Sequence, residues 1–278
     1  MRLARSLLEA LKDLLFPPCC LDCGRRLEHS RPPLFCSDCL GGPVAITSPL
    51  CRCCGLPFSC GVDHLCEECL RSPLSFDLAR SAFLYTRPVA GLILSLKFGG
   101  DLSGLDTITA LVGDTPALHE LTCPDLIVPV PLHPRRLRRR GFNQSVVLAR
   151  ACLPQWRTRI RPELLRRIRD TTAQSQLTGE QRRRNLRNAF LLCNSGAETV
   201  RGKRLLLVDD VFTTGSTVRE CAMVLRQAGA ARIEVFTLAR SLGPGAQTTG
   251  HGVRPGSADA PLPSGIGPDN QAATRQQG

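Results

Sequence analysis

Two adjacent carboxylates and a run of small hydroxyl residues stand close together in the last third of the sequence. Asp209 and Asp210 follow an apolar run. Behind them come five small residues, which are Thr213, Thr214, Gly215, Ser216 and Thr217. Paired carboxylates hold sugar hydroxyls or Mg²⁺, and hydroxyl and backbone N–H groups beside a glycine turn suit a phosphate group. The pattern predicts a site for a sugar phosphate.

A buried strand, a turn and a helix are the elements expected to position these residues. The run Leu205–Val208 is typical of a parallel strand buried on both faces, and we expect the two acids to end it. Apolar residues recur at helical spacing from Val218, and Gly229 is placed to close that helix. A Thr or Ser of the turn should cap the helix start, where unpaired N–H groups favour an anion. We expect the carboxylates to face a crevice there and not the core.

Two common phosphate-binding turns would require different residues in this segment. A Walker loop needs a lysine after the glycine, and a dinucleotide-binding turn needs G-x-G-x-x-G, and the segment has neither. An ordinary strand-to-helix turn is the structural alternative, in which the hydroxyls only cap the helix. Neither capping nor burial requires two adjacent aspartates, so we favour the ligand site.

The segment Val208–Thr217 resembles the V-D-D-x-x-T-T-G-x-T signature of type I phosphoribosyltransferases. The resemblance implies that 5-phosphoribosyl pyrophosphate binds here, with Mg²⁺ as a cofactor. It also implies that Asp209 and Asp210 are catalytic residues whose carboxylates hold the ribose hydroxyls. The hydroxyl-rich turn would then bind the 5-phosphate.

Arginine is concentrated in one segment of the chain. The net charge is +12, and residues 131–190 hold 16 arginines, no lysine and three acids. Arginine alone suits forked recognition of phosphate oxygens. A solvated helix face is the simpler interpretation of the scattered members Arg157, Arg159 and Arg161.

A second strand, loop and helix lie within this basic segment. We predict a buried strand at Leu126–Pro131, a basic loop at 133–144 and a helix around 146–149. Loops at the carboxyl ends of strands in an open parallel sheet share one crevice. We therefore expect three residues of this loop to bind the pyrophosphate, namely Arg139, Arg140 and Gly141.

Cysteines repeat in the first quarter of the chain. The spacing C-x-x-C recurs, and two such knuckles complete a set of four thiolates around one zinc ion. The expected ligands are Cys20, Cys23, Cys36 and Cys39 in the first copy, and Cys51, Cys54, Cys66 and Cys69 in the second. In the second copy Cys53, Cys60 or His64 could replace a ligand, so we expect one or two structural zinc ions.

Disulfides compete with zinc as the role of these cysteines. Residues 1–18 form an amphipathic leucine stripe interrupted by charge, unlike the apolar core of a signal peptide, so we expect a cytoplasmic protein. Disulfides are rare in that compartment, which favours zinc. The cysteine-rich region has little apolar surface, so the metal should stabilise it, with a core separate from that of the next domain.

The whole chain is predicted to have four parts. They are an amphipathic N-terminal helix at 1–18, a double zinc ribbon at 19–75, a phosphoribosyltransferase-like domain at 76–240 and a disordered tail at 241–278. The expected fold class is α/β, an open, mostly parallel sheet of phosphoribosyltransferase type preceded by a small four-cysteine zinc-ribbon domain. Further expected elements are a strand at Ala79–Tyr85, a helix at Val89–Leu96, a turn at Lys97–Asp101 and a strand at Arg232–Arg240. No apolar run is long enough for a transmembrane segment.

Further motifs resemble the ComF family of competence-associated proteins. They are the paired cysteine knuckles, P-V-P-L-H at 129–133, R-R-G-F-N-Q at 139–144, the stretch Arg166–Gln176 and the pair Arg184-Asn185. The resemblance implies a phosphoribosyltransferase fold, a hood over the ligand within Thr171–Asn188, and a link to DNA uptake in natural transformation.

Two functions from different classes are consistent with the sequence. In the first, the protein transfers a phosphoribosyl group to an unidentified acceptor, and positioning and charge supply the catalysis. In the second, it is a non-catalytic nucleic-acid-binding protein that keeps the fold, with single-stranded DNA or the DNA-uptake machinery as partner. Arginines clustered around the acids favour the first function, and arginines spread over an open face favour the second.

Overall fold

The structure is a computed structural model that describes residues 17–28, 31–72, 74–99, 102–170, 186–194 and 196–242. Three predictions fall mainly outside these residues. They are the N-terminal helix at 1–18, the hood within Thr171–Asn188 and the tail at 241–278. No helix among the described residues is long and apolar enough to cross a bilayer.

Most helices of the described chain are short. They are α1 (Ser37–Leu40), α2 (Glu67–Arg71), α3 (Val89–Leu94), α4 (Leu105–Val112), α5 (Pro116–His119), α6 (Pro134–Arg140), α7 (Gln144–Cys152), α8 (Gly196–Val200) and α9 (Ser216–Gln227). A wider π-helical turn, Ser95–Gly99, continues α3, and a 3-10 turn at Pro154–Arg159 follows α7. The turn predicted to begin at Lys97 is therefore wrong, because the helical backbone continues through Gly99, with Lys97 paired to Asp210.

Four parallel strands form the central sheet, in the order β1-β6-β5-β2. The strands of the structure are β1 (Leu78–Leu84), β2 (Leu126–Pro129), β3 (Leu165–Arg167), β4 (Phe190–Leu192), β5 (Arg204–Phe212) and β6 (Arg232–Arg240). Strands β3 and β4 form a separate antiparallel pair. The predicted α/β fold with an open parallel sheet is confirmed.

Apolar side chains cover both faces of this sheet, because successive residues of a strand point in opposite directions. In β5, Leu206 and Val208 pack with α3, α4 and α7 on one face. Leu205 and Leu207 pack with α9 on the other. This double burial is what a continuous apolar run indicates in a parallel strand.

Strand β5 is longer than the sequence indicates. It runs through the two acids to Phe212, and its last residues pair with Ala239 and Arg240 of β6. The expectation that the acids end the strand is wrong, because β6 offers backbone hydrogen-bond partners beyond them. Asp209 and Asp210 are therefore held on a paired strand and not on a loop.

The two cysteine-rich copies pack on opposite faces of the sheet. Cys20 and Cys36 of the first copy belong to the buried cluster that includes α3 and α4. Cys51 and Cys54 of the second belong to the cluster that includes α9. The prediction of a separate ribbon core is wrong, because each copy has too little apolar surface of its own and buries it against the sheet.

Backbone hydrogen bonds also join this region to the outer edge of β1. The N–H of Ala79 donates to Cys53 O at 2.7 Å. The N–H of Ile46 donates to Ala82 O at 3.0 Å, and the N–H of Leu84 donates to Val44 O at 2.8 Å. The segment before the sheet therefore covers an edge that would otherwise be open.

Candidate functional site

The acidic pair lies near the carboxyl end of β5, an inner strand of the sheet. Asp209 is 9% exposed and Asp210 is 5% exposed. The expectation that both carboxylates face an open crevice is therefore wrong. They are buried because the strand continues past them and neighbouring helices pack against that end.

Each carboxylate has partners from a different element. The Oγ of Ser145, in the first turn of α7, donates to Asp209 Oδ1 at 3.1 Å, and the N–H of Asp210 donates to the same oxygen at 2.9 Å. Lys97 Nζ lies 2.8 Å from Asp210 Oδ2. The start of α7 and the π-helical turn thus meet at the end of β5.

Burial and the charge of Asp210 raise the pKa of Asp209 to about 7. The Asp210 N–H, Lys97 and Ser145 oppose this rise in pKa without cancelling it. A carboxyl group with such a pKa changes its charge near neutral pH, and a bound cation would favour the ionised form.

Gly215 makes the turn between β5 and α9. Its φ is 71°, in the left-handed region, and a β-carbon at this position would lie 2.6 Å from the ring carbon Cζ of Phe212. The backbone conformation and the close ring both require glycine here. Phe212 itself is buried beside the turn.

The helix after this turn begins without the predicted Thr or Ser cap. The cap residue is Gly215, which has no side chain, and the N–H of Ser216 makes only a long 3.4 Å bond to Thr214 Oγ1. The left-handed glycine shifts the hydroxyls away from the cap position. Thr213 and Thr214 are exposed, whereas Ser216 is buried and Thr217 is half-buried. This helix is 12 residues long, and the unpaired N–H groups at its start favour an anion.

The basic segment predicted as a loop is helix α6. Pro134 occupies a first-turn position, and His133 Nδ1 accepts a hydrogen bond from the N–H of Arg135 at 3.3 Å. A proline at the helix start and a run of arginines, which are good helix formers, explain the difference. The helix ends at Gly141, in a left-handed conformation.

None of the three residues predicted to bind pyrophosphate has a described contact with the acids, and Arg140 alone has a described electrostatic interaction with one of them, Asp210. Arg140 is half-buried, donates to Gln144 Oε1 and lies 5.7 Å from the Phe98 ring centre. Burial lowers the pKa of its guanidinium, and the charge of Asp210 opposes that shift. Arg139 is exposed, and Gly141 forms the turn behind it.

Eight cysteine thiols form two groups of four. Within each group all Sγ atoms lie within 4.8 Å of one another, and the groups contain the residues Cys20, Cys23, Cys36 and Cys39, and Cys51, Cys54, Cys66 and Cys69. Zn–S bonds of about 2.3 Å in a tetrahedron separate sulfurs by about 3.8 Å. The Cys23–Cys36, Cys51–Cys69 and Cys54–Cys66 pairs are 3.6, 3.7 and 3.7 Å apart. Both groups fit a zinc ion.

Comparison with known sequences matches both the cysteine-rich region and the sheet region to described domains. The phosphoribosyl transferase domain matches residues 144–249, and the double zinc ribbon domain matches residues 11–70. Competence protein F of Haemophilus influenzae is 35% identical over 229 residues, which are 80% of this chain and 96% of that protein. This chain belongs to the ComF family of competence proteins.

Two more relatives show the spread of this ComF family. DNA utilization protein YhgH of Escherichia coli K12 is 39% identical over 206 residues, covering 69% of this chain and 85% of that protein. Competence protein ComFC of Bacillus subtilis is 31% identical over 216 residues, covering 74% of this chain and 84% of that protein.

The ComF chain also brings unpredicted residues to the acids. They are Lys97, Ser145 and Arg167. For Arg167, burial and the positive charge of Arg136 lower the pKa, and the charge of Asp209 opposes this shift. Lysine is rare in this chain, which has only three, but that rarity does not indicate a contact between Lys97 and the acids. Arg167 had no signal in the sequence, because it is one of many arginines in the segment.

Backbone hydrogen bonds at Cys51, in the second ComF cysteine site, favour its thiolate form. Burial raises the pKa of the Cys51 thiol, but the backbone N–H groups of Cys66, Cys54 and Cys53 outweigh burial and lower it to about 6. Metal ligation requires the thiolate form. His64, a predicted alternative ligand, instead stacks on Phe58 with ring centres 4.0 Å apart.

Proposed function

We propose that this protein binds 5-phosphoribosyl pyrophosphate with Mg²⁺ and transfers the phosphoribosyl group to an acceptor that is still to be identified. One observation carries the proposal. The acidic pair at the end of β5 is followed directly by a left-handed glycine turn into the start of α9. Carboxylates suit ribose hydroxyls, and a helix start suits the 5-phosphate.

Each part of the ligand then has a counterpart in the chain. The turn at Thr213–Thr217 would bind the 5-phosphate. The acidic pair, which is buried in the free protein, would accept hydrogen bonds from the ribose hydroxyls once ligand binding uncovers the end of β5. Arg140, which interacts electrostatically with Asp210, would face the pyrophosphate. Lys97 neutralises Asp210 and so reduces repulsion between the acids and an anionic ligand.

The proposed transfer breaks the bond between the anomeric carbon and the pyrophosphate oxygen and forms a bond from that carbon to the acceptor. Positive charge develops on the ribose ring, and negative charge develops on the leaving pyrophosphate. The acidic pair would stabilise the first, and Arg140 the second. Mg²⁺, when bound, would neutralise pyrophosphate charge, and carboxylate oxygens are its preferred protein ligands.

Calorimetric titration with 5-phosphoribosyl pyrophosphate and Mg²⁺ tests this proposal. Wild type should bind, and the variant that combines Asp209→Asn with Asp210→Asn should lose binding. Asp125→Asn is the matched control, because Asp125 pairs with Arg204 at the opposite end of β5 and should leave binding unchanged. Equal binding by wild type and the double variant would exclude the proposed site.

A second titration assigns the pyrophosphate side. Arg140→Gln should weaken 5-phosphoribosyl pyrophosphate about tenfold, since a charge-assisted contact is lost. Ribose 5-phosphate, which has no pyrophosphate, should bind this variant as it binds wild type. Equal weakening of both ligands would remove Arg140 from the pyrophosphate side.

Nucleic-acid binding is the second candidate, and exposed arginines favour it. Arg135, Arg138 and Arg139 are exposed on α6, while Arg140 turns inward. The relatives named for competence and DNA utilization support a role with incoming DNA, which we place in the cytoplasm. The chain has one Trp and one Tyr, so contacts should be mainly to phosphates.

The salt dependence of binding to single-stranded DNA tests this second function. Affinity should fall steeply as salt rises, and Arg138→Gln with Arg139→Gln should reduce the slope of log affinity against log salt by about 1.4, or about 0.7 per lost contact. A slope that stays the same in the double variant would exclude α6 as the contact surface.

A further inference from the structure

We propose that the second cysteine site, formed by Cys51, Cys54, Cys66 and Cys69, positions the turn at Gly215 through Arg240 and Phe212. The route runs from a cysteine ligand to a buried guanidinium, then to an aromatic ring, and then to the turn. The inference rests on the proposed function only in taking that turn as the phosphate site.

Arg240 is the first link of this route. It is the last residue of β6 and is only 6% exposed. Its Nη1 donates to Cys54 O at 2.6 Å, and its Nη2 lies 3.6 Å from Cys54 Sγ. A buried cation needs such partners, so the placement of the Cys54 knuckle fixes the position of the guanidinium.

Phe212 is the second link. The Arg240 guanidinium carbon lies 4.4 Å from the centre of the Phe212 ring, a close cation–π contact. Phe76 contacts the same ring edge-on, with ring centres 6.3 Å apart and an interplanar angle of 89°. Arg240 and Phe76 therefore contact the Phe212 ring from two directions and help to hold it in place.

Gly215 is the third link. A β-carbon on Gly215 would lie 2.6 and 2.9 Å from two ring carbons of Phe212, so the turn rests directly on the ring. A shift of the ring would open space beside Gly215 or push it outward. Well-packed groups of this kind move together because interiors leave few voids.

A second tether joins the same cysteine site to the other side of the turn. Arg219, in the first part of α9, lies with Nη2 3.2 Å from Glu68 Oε1. Glu68 is on α2, between the ligands Cys66 and Cys69. The second copy thus contacts the end of β6, where Arg240 lies over the Phe212 ring, and also the helix after the turn.

The first cysteine site packs against different elements. The N–H of Leu34 donates to Thr107 Oγ1 on α4 at 2.9 Å, and Arg87 Nε lies 3.0 Å from Asp22 Oδ1 near the start of α3. The chain therefore contains its own control, a similar four-thiol site whose described contacts lead to α3 and α4.

Loss of one ligand from each site gives the first experiment. Cys69→Ser and Cys39→Ser replace half-buried last ligands of the two sites. Metal analysis is combined with hydrogen–deuterium exchange in the unliganded protein. Cys69→Ser should lose about one zinc ion and raise exchange at residues 213–219 about tenfold, within the usual range of coupling between sites. Cys39→Ser should lose a zinc ion without that local rise.

Arg240→Met gives the second experiment and keeps all eight thiols. Arg226→Met is its matched control, because Arg226 pairs with Asp77 at the far end of α9. Arg240→Met should retain the wild-type zinc content, raise exchange at 213–219 and weaken 5-phosphoribosyl pyrophosphate about tenfold. Arg240→Lys keeps the charge and should restore part of the protection. Exchange in β2 reports general destabilisation and should change little.

The outcomes separate this inference from the proposed function. Exchange at 213–219 that is the same in Arg240→Met and Arg226→Met overturns the positioning role, as does an equal rise in β2. If the cysteine variants fail to fold, the Arg240 variants still test whether the second cysteine site positions the turn. If wild type does not bind 5-phosphoribosyl pyrophosphate, the proposed function fails, and the exchange data on the free protein still decide the positioning role.

Discussion

Asp209 and Asp210 have different electrostatic surroundings although they are neighbours in the chain. Asp210 has a full countercharge in Lys97, at 2.8 Å. Asp209 accepts hydrogen bonds only from neutral groups among its described partners, the Ser145 hydroxyl and a backbone N–H. Burial therefore raises the pKa of Asp209, and its charge depends on pH in the neutral range.

The first prediction concerns the pH dependence of stability. The pKa of Asp209 is about 7 in the folded protein against an ordinary 3.8, so the folded state binds more protons between these values. Stability from this group is therefore present at low pH and is lost as pH rises toward 7, by at most about 1.4 kcal/mol per pH unit. Urea unfolding at pH 5 and pH 7 should show that the free energy of unfolding changes less with pH in Asp209→Asn than in wild type. Identical slopes in the variant and wild type would contradict this.

The second prediction concerns Gly215. Gly215 and Gly202 have φ values of 71° and 69°, but a β-carbon meets Phe212 only at Gly215 and meets nothing within 4 Å at Gly202. Gly202→Ala should cost about 1 kcal/mol of unfolding free energy through backbone strain, and Gly215→Ala about 2–4 kcal/mol because overpacking adds to it. Chemical denaturation measures both. Equal losses of unfolding free energy in the two variants would show that the Phe212 ring can move aside without an energetic cost.

At the scale of elements, the sequence predicts what depends on local patterns. The strand at Arg232–Arg240 has its predicted bounds, because its apolar run and preceding turn are local signals. The length of β5 was not predictable, since it depends on pairing with β6 across the sheet. The ion pair of Lys97 with Asp210 likewise depends on how α3 packs, which no local pattern records.

The third prediction concerns the first cysteine site. Cys36 lies in the same buried cluster as α3 and α4, so its loss should not be confined to the ribbon. Cys36→Ser should lower the unfolding temperature of the sheet by about 5–10 °C. Calorimetry of zinc-loaded protein should show one transition. Two separate transitions, with the unfolding temperature of the sheet unchanged, would instead support a ribbon core that is separate from the sheet.

At the scale of the whole molecule, the two cysteine-rich copies support different halves of the candidate site. The first copy packs with α3, whose π-helical extension carries Lys97. The second packs beside Phe212 and α9, which form the turn. Similar modules on opposite faces of one sheet therefore pack against elements that carry different parts of the candidate site.

The fourth prediction follows from the edge of the sheet. β1 is the outermost strand, and its free side is occupied by backbone bonds from Val44, Ile46 and Cys53. Chelation of zinc should release these segments and expose a strand whose residues are mostly apolar. Light scattering during chelation should rise before cooperative unfolding is complete. Scattering that stays flat until the sheet has unfolded would contradict this.

The consequence is that the cysteine-rich region governs solubility as well as structure. An uncovered sheet edge recruits other chains, so we expect this protein to accumulate in inclusion bodies in zinc-starved cells. Metal supply during synthesis would then set the yield of folded protein, because both cysteine-rich copies precede β1 in the chain and can bind zinc before that edge forms.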